Sequence, residues 1–368
     1  MNLSALKVLW CPKCHGDLEC ESRLLNLKRI KEGSLACSKC KQKYPIRNYI
    51  PRFVDHKSYA NSFGAQWNAF AKSQIDSEGH AESQVRFDSE IGWTQDQLSG
   101  KAVVEVGSGA GRFVDIISKR GPELIIGLDI TDAVDAACQN VFRDNVMFVQ
   151  GDIFESPIRS DSVDFAYSIG VLHHTPNPQQ AFELMVDLVK TDGNVGVSLY
   201  EISNYHRPNR NTLRVVAMDA LWALNMLRCE LFRMITTRVP DKLMIMYCKT
   251  VVPILHMINK VPVLRFVRYL FPSTCYRNLP MIYSMVDTMD TYSTKIVHQY
   301  RAKDIFQWCR KVGLREIVVM NSRAGWVSIV SEKGSSEERA RRSLIIRQPK
   351  PPGERGFLDG DVPSIIEG

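Results

Sequence analysis

Between residues 101 and 200 the sequence alternates short segments rich in β-branched residues with stretches of helical character. This alternation constrains the fold more than any other feature. Five segments have the length and composition of buried strands: Ala102–Val106, Leu124–Leu128, Val146–Gln150, Val163–Ser168 and Asn194–Leu199. Strands that alternate with helices form βαβ units, in which consecutive strands run parallel. The sequence therefore predicts an α/β domain with a mostly parallel sheet and helices on both faces.

A glycine-rich turn follows the first predicted strand. The strand leads into Gly107-Ser108-Gly109-Ala110-Gly111 and then into a helix. Glycines let the backbone pass close to a ligand, because no Cβ stands in the way. A glycine triplet also fits a dinucleotide site, although nicotinamide enzymes more usually carry Gly-x-Gly-x-x-Gly. Glu105 lies just before the turn, where its carboxylate can meet an amino-acid ammonium group.

Three further strands end in residues that are placed to contact a ligand. Asp129 ends the second strand, where it can accept hydrogen bonds from both hydroxyls of a ribose. After the third strand, Asp152 can take an adenine amino group and Ile153 can cover the ring. The fourth strand leads into the segment 168–176. Open α/β sheets bind ligands at the carboxyl ends of their strands, and the alternative is that these are unrelated turns of such a fold.

These segments together resemble the class I S-adenosylmethionine-dependent methyltransferases, most closely their type-11-like branch. The resemblance is carried by Val103–Phe113, the Asp129 turn, the Gly151-Asp152 turn and the segment 170–174. It implies a Rossmann-like fold with S-adenosylmethionine as the cofactor. Residues 188–194 are similar to the branch's Lys-Pro-Gly-Gly turn but depart from it in two positions. The predicted cofactor-binding residues are Glu105, Gly107, Ser108, Gly109, Gly111, Asp129, Ile130, Asp152, Ile153, Ser168 and Gly170.

Two Cys-x-x-Cys pairs lie near the N-terminus and are separated by 22 residues. Each pair, Cys11 with Cys14 and Cys37 with Cys40, turns tightly enough for both thiolates to face one ion. The sequence therefore predicts a four-thiolate structural zinc site, with a redox motif as the alternative and His15 as an alternative ligand. Metal binding is expected to provide much of the folding free energy of so small a unit. The segment also resembles the small zinc-ribbon activator subunits of tRNA and rRNA methyltransferases.

The net charge of +7 is concentrated in one segment, because residues 205–285 hold twelve Lys and Arg against three Asp and Glu. This apolar and basic segment follows the fifth predicted strand, and it is predicted to be a helical insert. Three interpretations remain open: a helical cap with solvated Lys and Arg stems, a membrane-surface patch that admits a lipid-linked acceptor, and an RNA-contacting surface. The RNA interpretation is weakened because aromatic residues are not interleaved with the basic ones.

The predicted organisation has four parts. A zinc ribbon spans residues 1–54, a helical lead-in spans 55–100, and the methyltransferase domain with its insert spans 101–330. Residues 331–368 are predicted to be a disordered tail, because their composition turns to Ser, Glu, Arg, Pro and Gly. The sequence shows neither a signal peptide nor an apolar stretch of about 18 residues, so a cytoplasmic location is expected, with membrane-surface contact through the insert as an extension of it.

The fourth strand brings His173 and His174 to the edge where a donated methyl group would lie. One of them is a candidate catalytic base, and the alternative is that the pair packs the loop or orients the cofactor. The segment 289–294 is a candidate substrate lid.

Three functions follow from these candidates. The first is O- or C-methylation of a small-molecule or lipid-linked acceptor. The second is methylation of an RNA base. The third is a non-catalytic cofactor-binding scaffold whose zinc ribbon docks a partner protein.

Overall fold

The computed structural model describes residues 1, 3–26, 29–54, 59–79, 81–202, 213–320 and 326–334. The N-terminal part is a four-stranded antiparallel sheet in sequence order, preceded by a 3₁₀ segment at Leu3–Val8. Its strands are β1 (Leu18–Asn26), β2 (Arg29–Cys37), β3 (Lys43–Arg47) and β4 (Ile50–Pro51). Three short helices then form the lead-in: α1 (Asn61–Ala69), α2 (Glu82–Glu90) and α3 (Gln95–Leu98).

The main sheet has seven strands in the order β10-β11-β9-β8-β5-β6-β7. The five central strands are parallel, and two antiparallel strands complete one edge, which confirms the mostly parallel sheet. The strands are β5 (Ala102–Val106), β6 (Leu124–Asp129), β7 (Val146–Gln150), β8 (Val163–Ile169), β9 (Val189–Tyr200), β10 (Leu314–Val319) and β11 (Trp326–Lys333). Because β11 runs to Lys333, the predicted tail boundary at 331 is too early. Residues 335–368 lie outside the described part of the chain.

Both faces of this sheet are covered, because alternate residues of each strand point to opposite sides. Val103 and Ile125 belong to a buried cluster with α2 and the two helices α4 (Arg112–Ser118) and α5 (Ala133–Asn140). Val104 and Ile126 belong to the opposite cluster, which contains α6 (Pro178–Leu188) and α10 (Ala302–Lys311).

The N-terminal sheet shares the second of these clusters. Its buried residues Leu9 and Ile46 belong to one core with Val149 and Ile158 of the main domain. Packing against the main domain therefore stabilises the N-terminal sheet, in addition to what a bound metal contributes.

The described part of the insert is mostly helical. It comprises α7 (Leu213–Thr236), α8 (Asp241–Lys260), a 3₁₀ segment at Pro262–Leu270 and α9 (Met281–Ser293). Its core includes Val252, Val286 and Tyr292, and it packs against Phe70 just after α1. Pro253 lies inside α8 and does not end it. Within the described residues, no helix is both long and apolar enough to span a membrane.

Candidate active site and metal centre

The glycine turn between β5 and α4 takes a backbone path that side chains would block. Gly107 has a φ of 83°, and a Cβ there would lie 2.3 Å from Cγ1 of Val171. Gly111 has a φ of 84°, and its Cβ would press on Phe148 and Ala137. Gly107 therefore lets Val171 pack closely against the turn, whereas Gly111 serves the packing of the helix against the sheet.

A cavity of about 550 Å³ lies over this turn, at the carboxyl ends of the parallel strands. The lead-in helices, the glycine turn and the insert helix α9 all contribute to its wall. Nine of the eleven predicted cofactor residues line it: Glu105, Gly107, Ser108, Gly109, Asp129, Ile130, Asp152, Ile153 and Gly170. The other two do not, because Gly111 packs against the sheet and the Ser168 hydroxyl donates to the Val106 carbonyl at 2.8 Å.

Two aspartates at this edge are held by hydrogen bonds from the backbone. Asp129 accepts from the Gly109 amide at 2.8 Å, and from the amide and hydroxyl of Thr131 at 2.9 and 2.7 Å. Asp152 accepts from the Phe154 amide at 3.0 Å. Burial raises the pKa of both carboxyls, and these hydrogen bonds oppose the shift. Both carboxylates are therefore oriented in advance beside the cavity.

Glu105 is a buried carboxyl with one described side-chain partner. The Tyr167 hydroxyl donates to it at 3.0 Å, and burial raises its pKa well above the usual range. A cation beside this carboxyl would stabilise the charged form that burial disfavours. Ser108, only 4% exposed in the same wall, has a hydroxyl without a hydrogen-bond partner among the described residues. A ligand with an ammonium group and further polar atoms would satisfy both residues.

The two histidines differ in their access to the cavity. His174 lines it, and its Nδ1 lies 2.8 Å from the carbonyl oxygen of Ile296. Burial lowers the pKa of His174 to about 4, so the imidazole is neutral and weakly basic at neutral pH. His173 is fully buried behind it and does not line the cavity, and its pKa is also lowered by burial. The geometry favours the packing and orienting alternative over a catalytic base.

A carboxyl that the sequence suggested only as part of a lid lies in the cavity wall instead. Asp290 accepts a hydrogen bond from the Tyr200 hydroxyl at 3.1 Å, and burial raises the pKa of Asp290 to about 6. The Tyr200 ring centroid lies 4.6 Å from that of Trp326. Asp287 also lines the cavity and accepts from the Tyr276 hydroxyl at 2.5 Å. The two aspartates are three residues apart, which places them on the same face of a helix. This spacing is the feature of the sequence that could have indicated that both face one site.

The four predicted metal ligands converge in the N-terminal sheet. Their sulfurs all lie within 4.8 Å of one another, with Cys11 and Cys40 at 3.6 Å and Cys14 and Cys37 at 3.5 Å. Zinc–sulfur bonds of ~2.3 Å in a tetrahedron give sulfur–sulfur distances of about 3.8 Å. The four thiolates therefore fit a structural zinc ion. His15 is not among the clustered ligands; its ring stacks on Trp10 at 4.0 Å.

Comparison with known families agrees with this arrangement. Residues 104–197 match the family described as a methyltransferase domain, and residues 3–48 match the Trm112p-like proteins. The chain joins a methyltransferase domain to a Trm112p-like ribbon. A curated relative, an arsenite methyltransferase of Halobacterium salinarum, is 30% identical over 105 residues. That match covers 27% of each chain, so this chain spans about a quarter of the relative's length.

Solved structures with similar folds include three methyltransferases or their complexes. One is a complex of the Trm112 methyltransferase activator with a methyltransferase from Haloferax volcanii, with a TM-score of 0.42 at 14% identity, covering 75% of this chain and 99% of that one. A second, from Methanococcus maripaludis, has a TM-score of 0.40 at 14% identity and covers 77% and 97%. A third, from Mesorhizobium loti, has a TM-score of 0.27 at 22% identity and covers 28% and 49%, about half of that chain.

Proposed function

We propose that this protein transfers a methyl group from S-adenosylmethionine to an oxygen or carbon atom of a small-molecule or lipid-linked acceptor. One observation carries the proposal. A single cavity joins the glycine turn and Asp129 on one side to Tyr200 and Asp290 on the other. A cofactor bound at the first side would therefore face an acceptor bound at the second, which is the alignment that methyl transfer requires.

The cofactor side fits S-adenosylmethionine through three carboxyls. Glu105 binds the ammonium group of the methionine part, Asp129 binds the ribose hydroxyls, and Asp152 with Ile153 holds the adenine. When bound, S-adenosylmethionine supplies an electrophilic methyl group. The orientation of Asp129 by the Gly109 amide at 2.8 Å keeps this carboxylate from turning away from the cavity.

The acceptor side contains a base that is suited to neutral pH. Asp290 has a pKa of about 6, so its carboxylate is ionised at pH 7 yet basic enough to take a proton from an acceptor hydroxyl or carbon acid. Tyr200 donates its hydroxyl to Asp290 and fixes the direction of the carboxylate. Trp326 and Tyr283 line the same cavity and offer aromatic surface against which an acceptor can pack.

The ribbon contributes by holding a turn of the cofactor site. The Trp10 indole donates to the Ser156 carbonyl at 2.8 Å, and the Trp10 amide donates to the Pro157 carbonyl at 2.9 Å. Arg52 donates to the Gln150 side chain at 2.7 Å. The two ends of the turn that carries Asp152 are thus tied to the ribbon, which supports a role as an activator within the same chain. A separate protein partner bound through the ribbon stays a prediction.

A turnover assay tests the proposal. The purified protein is incubated with S-adenosylmethionine and a panel of hydroxylated aromatic, carbon-acid and lipid-linked acceptors, and S-adenosylhomocysteine is measured. Product that requires an acceptor supports the proposal. Failure to bind S-adenosylmethionine overturns it. Binding without product from any acceptor favours the scaffold, and methylation of RNA alone favours the RNA alternative.

A further inference from the structure

The second half of α8 and the 3₁₀ segment after it expose an unusual amount of apolar surface. We propose that this surface docks the protein on an anionic lipid bilayer. It is called the docking face, and its exposed side chains are Ile254, Met257, Val261, Val263, Phe266 and Tyr269. The inference goes beyond the proposed function and does not depend on it.

The docking face follows from helix geometry. In α8, the buried Val252 and Leu255 belong to the side that faces the protein core, whereas Ile254 and Met257, three residues apart, are 60% and 55% exposed. Exposure of these apolar side chains to water is unfavourable. The solvent-facing side of a helix therefore ordinarily carries polar residues.

The 3₁₀ segment also exposes apolar side chains, and here they recur every three residues. With three residues per turn, Val263, Phe266 and Tyr269 lie on one face, and they are 81%, 60% and 44% exposed. Arg265 and Arg268 lie together on another face, and both are partly buried. None of the nine residues of the segment is buried. The segment therefore has the character of an interfacial element, with apolar side chains outward and cationic groups beside them.

Helix α7 extends the apolar surface. Leu227, Leu231 and Met234 follow helical spacing and are 57%, 56% and 61% exposed. Arg228 donates to the carbonyl oxygen of Phe271 at 3.0 Å, which ties α7 to the end of the 3₁₀ segment. The exposed apolar residues of the insert therefore belong to connected elements rather than to scattered positions.

Charge identifies the occupant of the docking face. Residues 224–277 contain nine Lys and Arg against two Asp and Glu. Arg228, Arg233 and Arg268 donate to backbone carbonyls of the insert. The basic residues that are exposed include Lys242, Lys249, Lys260 and Arg277. Anionic lipid headgroups attract such a segment, with a binding free energy of about 1 kcal/mol for each Lys or Arg near the membrane surface. The apolar side chains would insert at the boundary between headgroups and acyl chains. A second copy of this chain would instead bring two cationic surfaces together. Residues 335–368 contain six basic and six acidic residues, so this segment has no net negative charge to attract it to the basic surface.

The docking face leads along the chain to the wall of the cavity. Leu279 follows the 3₁₀ segment, lines the cavity and is 38% exposed. Delivery of an acceptor from the bilayer to the cavity would rest on the proposed function, whereas docking itself does not.

Vesicle co-sedimentation tests the inference on the full chain. The vesicles are phosphatidylcholine alone, or phosphatidylcholine with about one third phosphatidylglycerol. The double variant Val263→Asp with Phe266→Asp is compared with a matched control, Val85→Asp with Phe142→Asp, whose wild-type side chains are 65% and 52% exposed elsewhere on the molecule. Thermal melting and S-adenosylmethionine binding report whether each variant is folded.

The wild-type protein and the control are expected to bind the anionic vesicles, and binding is expected to fall when salt is raised. The docking-face variant should bind at least about tenfold more weakly while it stays folded. Four results would overturn the inference: no vesicle binding by the wild type, equal binding to neutral and anionic vesicles, equal loss in both variants, or vesicle binding that appears only after residues 335–368 are removed. A wild-type dimer that the docking-face variant converts to a monomer, without vesicle binding, would assign the face to self-association instead.

Discussion

At Asp129, one carboxylate accepts hydrogen bonds from the Gly109 amide and the Thr131 hydroxyl while it also lines the cavity. These donors fix its direction, and Oδ2, which accepts only from the Gly109 amide, keeps an acceptor site for a ligand. At Asp290, burial raises the pKa of the carboxyl to about 6, which makes its carboxylate a stronger base than an exposed one. Their different surroundings are the basis for the proposed roles, binding of the cofactor for Asp129 and proton transfer for Asp290.

Replacement of Asp129 tests the cofactor side. Asp129→Asn keeps the shape of the side chain but removes the charge, and a hydrogen bond to a charged group contributes about 1.5–3 kcal/mol. The dissociation constant for S-adenosylmethionine, measured by calorimetry, is therefore expected to rise roughly tenfold to a hundredfold. Asp187→Asn, at an exposed position outside the cavity, is the control. Unchanged affinity in Asp129→Asn would remove this residue from the cofactor site.

The pH dependence of turnover tests Asp290. Its carboxyl must be deprotonated to act as a base, so kcat should rise with pH through about 6 and then level off. Asp290→Asn should lower kcat by about a hundredfold and remove this acid limb. Asp287→Asn is the matched control, because Asp287 lies on the same helix and lines the same cavity but bonds to Tyr276. An acid limb that survives in Asp290→Asn would show that another group takes the proton.

At the scale of elements, the sequence predicted the central strands well because local patterns determine them. β5 and β7 begin and end at the predicted residues. β9 begins five residues before the predicted strand, at Val189, because its first residues extend the pairing with β8 at Val163. Pairing of this kind depends on a neighbouring strand rather than on the composition of the segment.

The cofactor side of the cavity was predictable for the same reason, since each of its residues follows directly after a strand. On the acceptor side only Tyr200 was predictable in this way, because it directly follows the fifth predicted strand. Asp290 is 90 residues from Tyr200 in sequence, and Trp326 comes from β11, the strand next to the edge strand β10. Helix packing brings them together, and no local motif records that packing. His173 and His174 were prominent in the sequence, yet burial, which periodicity does not reveal for a loop, leaves them poorly suited to proton transfer.

At the scale of the whole molecule, the ribbon and the methyltransferase domain form one structure. The ribbon lies on the same side of the sheet as α6 and α10, and its apolar residues are buried with those of β7. It also contacts both ends of the turn that carries Asp152, through Arg52 and Trp10. Loss of the metal should therefore weaken cofactor binding, although the four clustered sulfurs do not line the cavity.

Removal of one thiolate tests this coupling. Cys40→Ala is expected to lower the zinc content from one ion per chain and, because the ribbon no longer holds the turn, to weaken S-adenosylmethionine binding by about tenfold. Cys20→Ala is the matched control, since Cys20 lies in the same ribbon but is not among the clustered sulfurs. Elemental analysis gives the zinc content and calorimetry gives the affinity. If Cys40→Ala loses zinc while its affinity for S-adenosylmethionine equals that of the control, the ribbon stabilises the chain without supporting the cofactor site.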